Sequence, residues 1–162
     1  MSERITPTPS ALQNLLSEEA GQLRDFLVLL EKEQQALAEG DVDRLVPLAA
    51  EKTEAFGRLS RLGEARGQAL AAAGLTADRQ GMEAWLRQHT EFQQARKTWQ
   101  ALLALAEKAS ALNQTNGKLI ATRLAHNQQA LATLMAAANQ AALYGPDGQA
   151  RPLGGGRSLG SV

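Results

Sequence analysis

ASALNQTNGKLIATRLAHNQQALATLMAAANQAAL, residues 109–143, is the stretch that decides the fold: it is either one helix or two helices broken at Asn113–Gly117. It carries only two charges, Lys118 and Arg123, and no carboxylate. Its polar positions are instead amides, among them Asn116, Asn127, Gln128, Gln129, Asn139 and Gln140. A solvated helix face is usually laced with Glu and Lys. Neutral amides are covered by a partner without desolvating a charge, so this composition suits a surface that something else buries.

Working outward from it, Trp99, Leu102, Leu105, Leu112 and Leu119 keep heptad phase across Asn116-Gly117, and a lone internal glycine costs a helix only about 1 kcal/mol. Thr90 with Gln93 reads as a capping box. The pattern predicts one helix over 91–143, roughly 80 Å long, against roughly 45–50 Å for each of the two helices before it. One end then overhangs: residues up to about Arg123 can lie on the earlier helices, and Leu124 to Leu143 extend past them. The competing reading breaks the chain at Asn113–Gly117 and gives a regular four-helix bundle. Asn116 and Gly117 are accordingly either small residues allowing close helix approach or a flex point used in partner binding.

The first helix is expected from a Ser10–Gln13 capping box. Leu12, Leu16, Leu23, Phe26, Leu30 and Leu37 follow a 4,3 spacing whose two missing members are Glu19 and Glu33. Gly40 stops this helix and Asp41 caps the next, so the two fold back as an antiparallel hairpin. The second helix runs to about Ala73 before Gly74, with Leu45, Leu48, Phe56, Leu59, Leu62 and Leu70 on one side and a kink or restart expected at Pro47. Gly74 to His89 reads as a connector holding a short helix with Met82, Trp85 and Leu86 as its apolar face.

The fold class is thus all-α, an antiparallel hairpin packed with a long C-terminal helix. Its organisation is a flexible segment 1–9, one helical bundle domain 10–143 and a flexible Gly/Pro-rich arm 144–162. Scarce aromatics among abundant Ala and Leu agree with closely packed helices. Lys plus Arg equals Asp plus Glu at 17 each, so no overall charge attracts nucleic acid. The balance is nevertheless uneven, with 8 basic and 12 acidic side chains in residues 1–74 and 9 basic and 5 acidic in residues 75–162. These halves should attract as antiparallel neighbours. Neither an N-terminal apolar region nor a run near 18 apolar residues points to export or membrane insertion, and the expected place is the cytoplasm.

Catalytic constellations are missing from the pattern. His89 and His126 have no second ligand at helical spacing and are expected as partly exposed surface residues, so no metal or other cofactor is expected. The acid pairs Glu18/Glu19 and Glu31/Glu33 read as solvated helix faces, since adjacent helical residues do not face each other. No enzyme is expected. The apolar positions Leu124, Leu131, Leu134, Met135, Ala138 and Leu143 either complete a four-helix core or form a partner surface. Covering four or five of them supplies several kcal/mol of gross burial, enough for a reversible complex.

The order of features resembles the FlgN family of flagellar export chaperones. The residues that carry the resemblance are Leu12-x-x-Leu15-Leu16-x-x-Glu19, the Leu37-x-x-Gly40-Asp41 turn followed by Leu45, Leu48 and Lys52, then Leu112-Asn113-x-x-Asn116-Gly117-x-Leu119-Ile120 and Tyr144-Gly145-Pro146-Asp147-Gly148. The resemblance implies a cytoplasmic chaperone that binds the C-terminal segments of flagellar hook-filament junction proteins and delivers them to the flagellar type III export gate. It carries cargo binding onto Leu124, Leu131, Leu134 and Met135, within the charge-poor helix. Tyr144 is either folded back on the helix end or in contact with cargo or gate. The expected state is a monomer or weak dimer. The alternative is a self-associating coiled-coil scaffold or regulatory protein without secretion cargo.

Overall fold

The computed structural model describes residues 7–143, with side chains through Ala138. The N-terminal segment before Pro7, the Leu143 side chain, Tyr144 and the Gly-rich arm lie outside the described residues. Four helices follow one another, α1 (Pro9–Glu39), α2 (Val42–Ala72), α3 (Arg79–Gln88) and α4 (Gln93–Leu143), with no strand among the described residues. The protein is all-α, and α4 is one unbroken helix of 51 residues against 31 for each of α1 and α2. It passes through Asn116-Gly117 without interruption, so the continuous-helix reading holds over the four-helix bundle. By compactness the chain divides into two units at Leu119–Ile120.

Within the first unit the turns that end α1 and α2 are made by the expected residues. Gly40 sits at φ 70° and lets the Asp41 N–H donate to Ala36 O at 2.9 Å, closing α1. Asp41 then accepts from the Arg44 N–H at 3.3 Å and caps α2. Gly74, at φ 77°, closes α2 in the same way through Leu75 N–H to Leu70 O at 2.9 Å. α3 is capped by Asp78, which accepts from the Gly81 N–H at 2.9 Å. Gly81 has no substitute: a Cβ there would stand 1.7 Å from Thr76 O.

Several expectations are corrected. α1 starts at Pro9 after Thr8, and the Ser10–Gln13 box is not formed, because proline at the first turn already fixes the helical φ. α2 runs through Pro47 without restarting. α4 starts at Gln93, so Gln93 is not the third residue of a Thr90-capped helix. The preceding residues are held in a turn instead, with Phe92 N–H bonded to His89 O at 3.1 Å and Trp85 stacked on His89 at 4.3 Å. Phe56, expected on the seam of α2, is 62% exposed. The seam there is Leu48, Lys52, Ala55, Leu59, Leu62, Arg66 and Ala69, a 4,3 pattern that passes through small Ala55 and leaves Phe56 beside it.

That seam explains the two acids in α1. Glu19 and Glu33, expected on solvated faces, are buried at 7% and 6% exposure. They lie two heptads apart on α1, and their partners Arg66 and Lys52 lie two heptads apart on α2 in the reverse order, as antiparallel pairing demands. Each pair also recruits α4. Arg66, ion-paired with Glu19, lies over the Trp99 ring at 5.2 Å from its centroid. Glu33 accepts from Lys52 Nζ at 3.1 Å and from Asn116 Nδ2 at 2.9 Å, and the same Asn116 amide donates to Leu30 O at 2.9 Å. Three helices thus share one register through two buried polar clamps, since slipping either helix leaves a carboxylate buried and unpaired. Between the clamps the core is Leu23, Phe26, Leu27 and Leu30 of α1, Ala55 of α2 and Leu102 and Ala109 of α4, with Leu16 of α1 and Met82, Trp85 and Leu86 of α3 in the same cluster.

Candidate protein-binding surface

Burial in α4 ends at its midpoint. Asn116 is 1% exposed and Leu119 half-buried, whereas every residue from Ile120 to Ala138 is exposed. The onset falls three residues before Arg123, up to which contact with the hairpin was expected. This second stretch is nonetheless rich in large apolar side chains. Leu124 is 56% exposed, Leu131 58%, Leu134 68% and Met135 59%, with Ile120 close behind. At 100° per residue, Ile120, Leu124, Leu131, Leu134, Met135 and Ala138 fall within a stripe about 100° wide, the width of an ordinary core-facing helix face. Asn127 sits inside that stripe as its one amide.

The chemistry of the stripe is neutral. Glu107 is the last carboxylate before Asp147, and Arg123 is the one formal charge between Ile120 and Leu143. Burying such a face therefore removes apolar area from water with little charge desolvation, worth about 1.5–3 kcal/mol gross for each Leu or Met fully covered. Ordering and association offset much of that sum. Of the residues expected to bind a partner, Leu124, Leu131, Leu134, Met135 and Ala138 are brought together here by the helix itself. Leu143 belongs to α4, but its side chain is outside the described residues, as is all of Tyr144.

Asn116 and Gly117 occupy different environments. Asn116 is the buried donor of the Glu33 clamp, with its Oδ1 unpaired. Gly117 has nothing within 4 Å of the place a Cβ would take, so close helix approach does not require a glycine there. A second apolar feature escaped the sequence pattern. Phe56, with Ala49 and Thr53 of α2, Phe26 of α1 and Ala109 and Ser110 of α4, lines an open groove of about 540 Å³ floored by Glu33 and Lys52. The signal that marks it is Ala55, whose place on the seam pushes the neighbouring Phe outward.

Among the described residues no group of three or more His, Asp or Glu is arranged to hold a metal, and no helix is long and apolar enough to cross a membrane. His89 gives Nδ1 to a hydrogen bond with Trp85 O at 2.9 Å, and His126 is exposed on α4. Asp78 is the carboxyl held below its ordinary range, first by the Thr76 hydroxyl at 2.6 Å and then by the Gly81 N–H, which marks a helix cap.

Known proteins resemble the chain over most of its length. The family described as FlgN protein matches residues 1–152. A Yersinia enterocolitica protein named flagella synthesis protein FlgN is 29% identical over 143 residues, covering 86% of this chain and 89% of the relative. A second sequence of that name, from serotype O:8 of the same species, matches with the same identity and coverage. Among solved structures, the crystal structure of a candidate flagella synthesis protein FlgN from Pseudomonas aeruginosa superposes with a TM-score of 0.64 at 28% identity, covering 70% of this chain and 89% of that one.

Proposed function

The chain belongs to the FlgN family of flagella synthesis proteins, and from that premise we propose that it is a cytoplasmic chaperone of flagellar type III export. In this reading it binds the C-terminal segments of hook-filament junction proteins, keeps them from assembling early, and delivers them to the export gate. The observation that carries it is the stripe Leu124, Leu131, Leu134, Met135 and Ala138 on a charge-poor stretch of α4.

An amphipathic cargo helix lays its apolar face along such a stripe, its i, i+3, i+4 and i+7 positions meeting the Leu and Met side chains. Shielding those cargo positions blocks the contacts they make in the assembled filament. Release stays easy, because a stripe without carboxylates forms no buried ion pair that must be broken at the gate. Leu143 is taken as a further cargo contact and Tyr144 as a contact to cargo or gate. Asn116 and Gly117 mark the change from buried to exposed helix, and Gly117 supplies any bending that cargo or gate requires.

Calorimetric titration of the full chain with a C-terminal peptide of a hook-filament junction protein tests this, comparing wild type with Leu131→Asp plus Met135→Asp. Saturable binding weakened at least about tenfold in the folded double variant is the expected result, because two carboxylates would be desolvated in the complex. Unchanged binding moves the cargo site off α4. Absence of binding together with mass that rises with concentration favours a self-associating coiled-coil scaffold.

A further inference from the structure

A different surface, wholly within the first unit, has the makings of a ligand site. We propose that the cleft between α3 and α4 binds an acidic peptide segment, a carboxylate among its arginines and an adjacent apolar side chain against Leu86 and Leu103. The cleft has a volume of about 440 Å³, the size of a site for one or two side chains. Three guanidinium groups line it, from Arg79 and Arg87 on α3 and Arg96 on α4, against a single carboxylate, Glu83. Its formal charge is therefore +2 in a chain whose total is zero.

Structural duties account for part of this charge. Glu83 is taken by Arg79 at 3.1 Å, and Arg96 Nη2 donates to Leu86 O, an end carbonyl of α3, at 3.1 Å. Arg87, in the last turn of α3, suits the helix dipole. It makes no ion pair among the described residues and keeps its whole planar fork available for a carboxylate. Arg79, in the first turn of the same helix, opposes the dipole and is held there by its i,i+4 pair with Glu83.

The wall beside the arginines is apolar. Trp99 lines the cleft and is 5% exposed, so its indole sits where it reports on what enters. A carboxylate provides the charge for Arg87. Leu86 and Leu103 add apolar wall that a bare inorganic anion leaves uncovered, which favours a peptide over a free phosphate.

The test uses full-length protein labelled with ¹⁵N-tryptophan, the Trp99 indole resonance being assigned with Trp85→Phe. The probes are the peptide acetyl-Leu-Glu-Leu-Glu-amide, its glutamine counterpart and inorganic phosphate. A saturable shift of the Trp99 indole with the glutamate peptide is expected, about tenfold weaker with the glutamine peptide and with the exposed Arg87→Gln variant, whose circular dichroism stays unchanged. Three results overturn the proposal: no saturable shift, equal affinity for the two peptides, or saturation by phosphate where the glutamate peptide has no effect.

Discussion

The two halves of α4 share one backbone helix and a high content of Leu and Ala, yet differ in almost everything the side chains do. From Ala95 to Asn116 the helix gives Trp99, Leu102, Ala109 and Asn116 to the interior, and its polar members there close ion-pair clamps on α1 and α2. From Ile120 to Ala138 the apolar side chains are as large, but none is buried. Hydrophobic periodicity alone therefore does not distinguish core from binding surface. The polar residues do. In the buried half Trp99 and Asn116 meet ion pairs of α1 and α2 and fix register; in the exposed half the stripe holds one amide, Asn127, and no charge, so it can be covered with little charge desolvation.

Identical substitutions in the two regions should have unequal effects, and the largest contrast is in leucine truncation. Leu30→Ala, at a fully buried site, is expected to lower unfolding free energy by about 3 kcal/mol in urea titration, and Leu131→Ala by less than about 0.5 kcal/mol. Comparable losses would break the distinction. Glycine replacement sharpens it next. Gly81→Ala should cost at least about 2 kcal/mol, because its Cβ would collide with backbone, whereas Gly117→Ala should add about 0.5–1 kcal/mol of helix stability.

Asn116→Ala comes third. It removes two hydrogen bonds and leaves Lys52 as the Glu33 partner, for an expected loss of about 1–2 kcal/mol, while Asn127→Ala should be near neutral. The smallest effect is titration of Asp78. Its folded-state carboxyl lies below the ordinary 3.8, so its contribution to α3 is complete above that value and disappears as pH falls through the lowered one. Amide exchange in α3 should quicken over that acid range in wild type, and Asp78→Asn, which retains a capping oxygen, should remove that pH dependence.

Much of the fold was legible because its signals are local. Gly40-Asp41 and Gly74 ended and restarted helices where their backbone freedom and capping oxygen said they would. Heptad phase carried α4 through Gly117. Non-local matches were harder to read. Glu19 and Glu33 were visible as gaps in the α1 seam, but their burial is intelligible only when Arg66 and Lys52 occupy matching gaps in α2, and bulky Phe56 drew that second stripe one residue off Ala55. The start of α4 was misplaced for a related reason. A capping-box pattern at Thr90 competes with the stacked Trp85 and His89 and the Phe92–His89 turn, which come together only after α3 has packed. At the surface, composition marked the charge-poor stretch, while the arginine cleft was illegible because its residues come from two helices.

Hydrogen exchange by mass spectrometry tests the central claim most directly, with the full chain measured alone and with a saturating C-terminal peptide of a hook-filament junction protein. The account predicts slowed exchange concentrated in residues 120–138, with 9–119 unchanged. Protection gained instead around Phe56 and Ala109, with 120–138 unaffected, would contradict it and move the cargo to the α2–α4 groove.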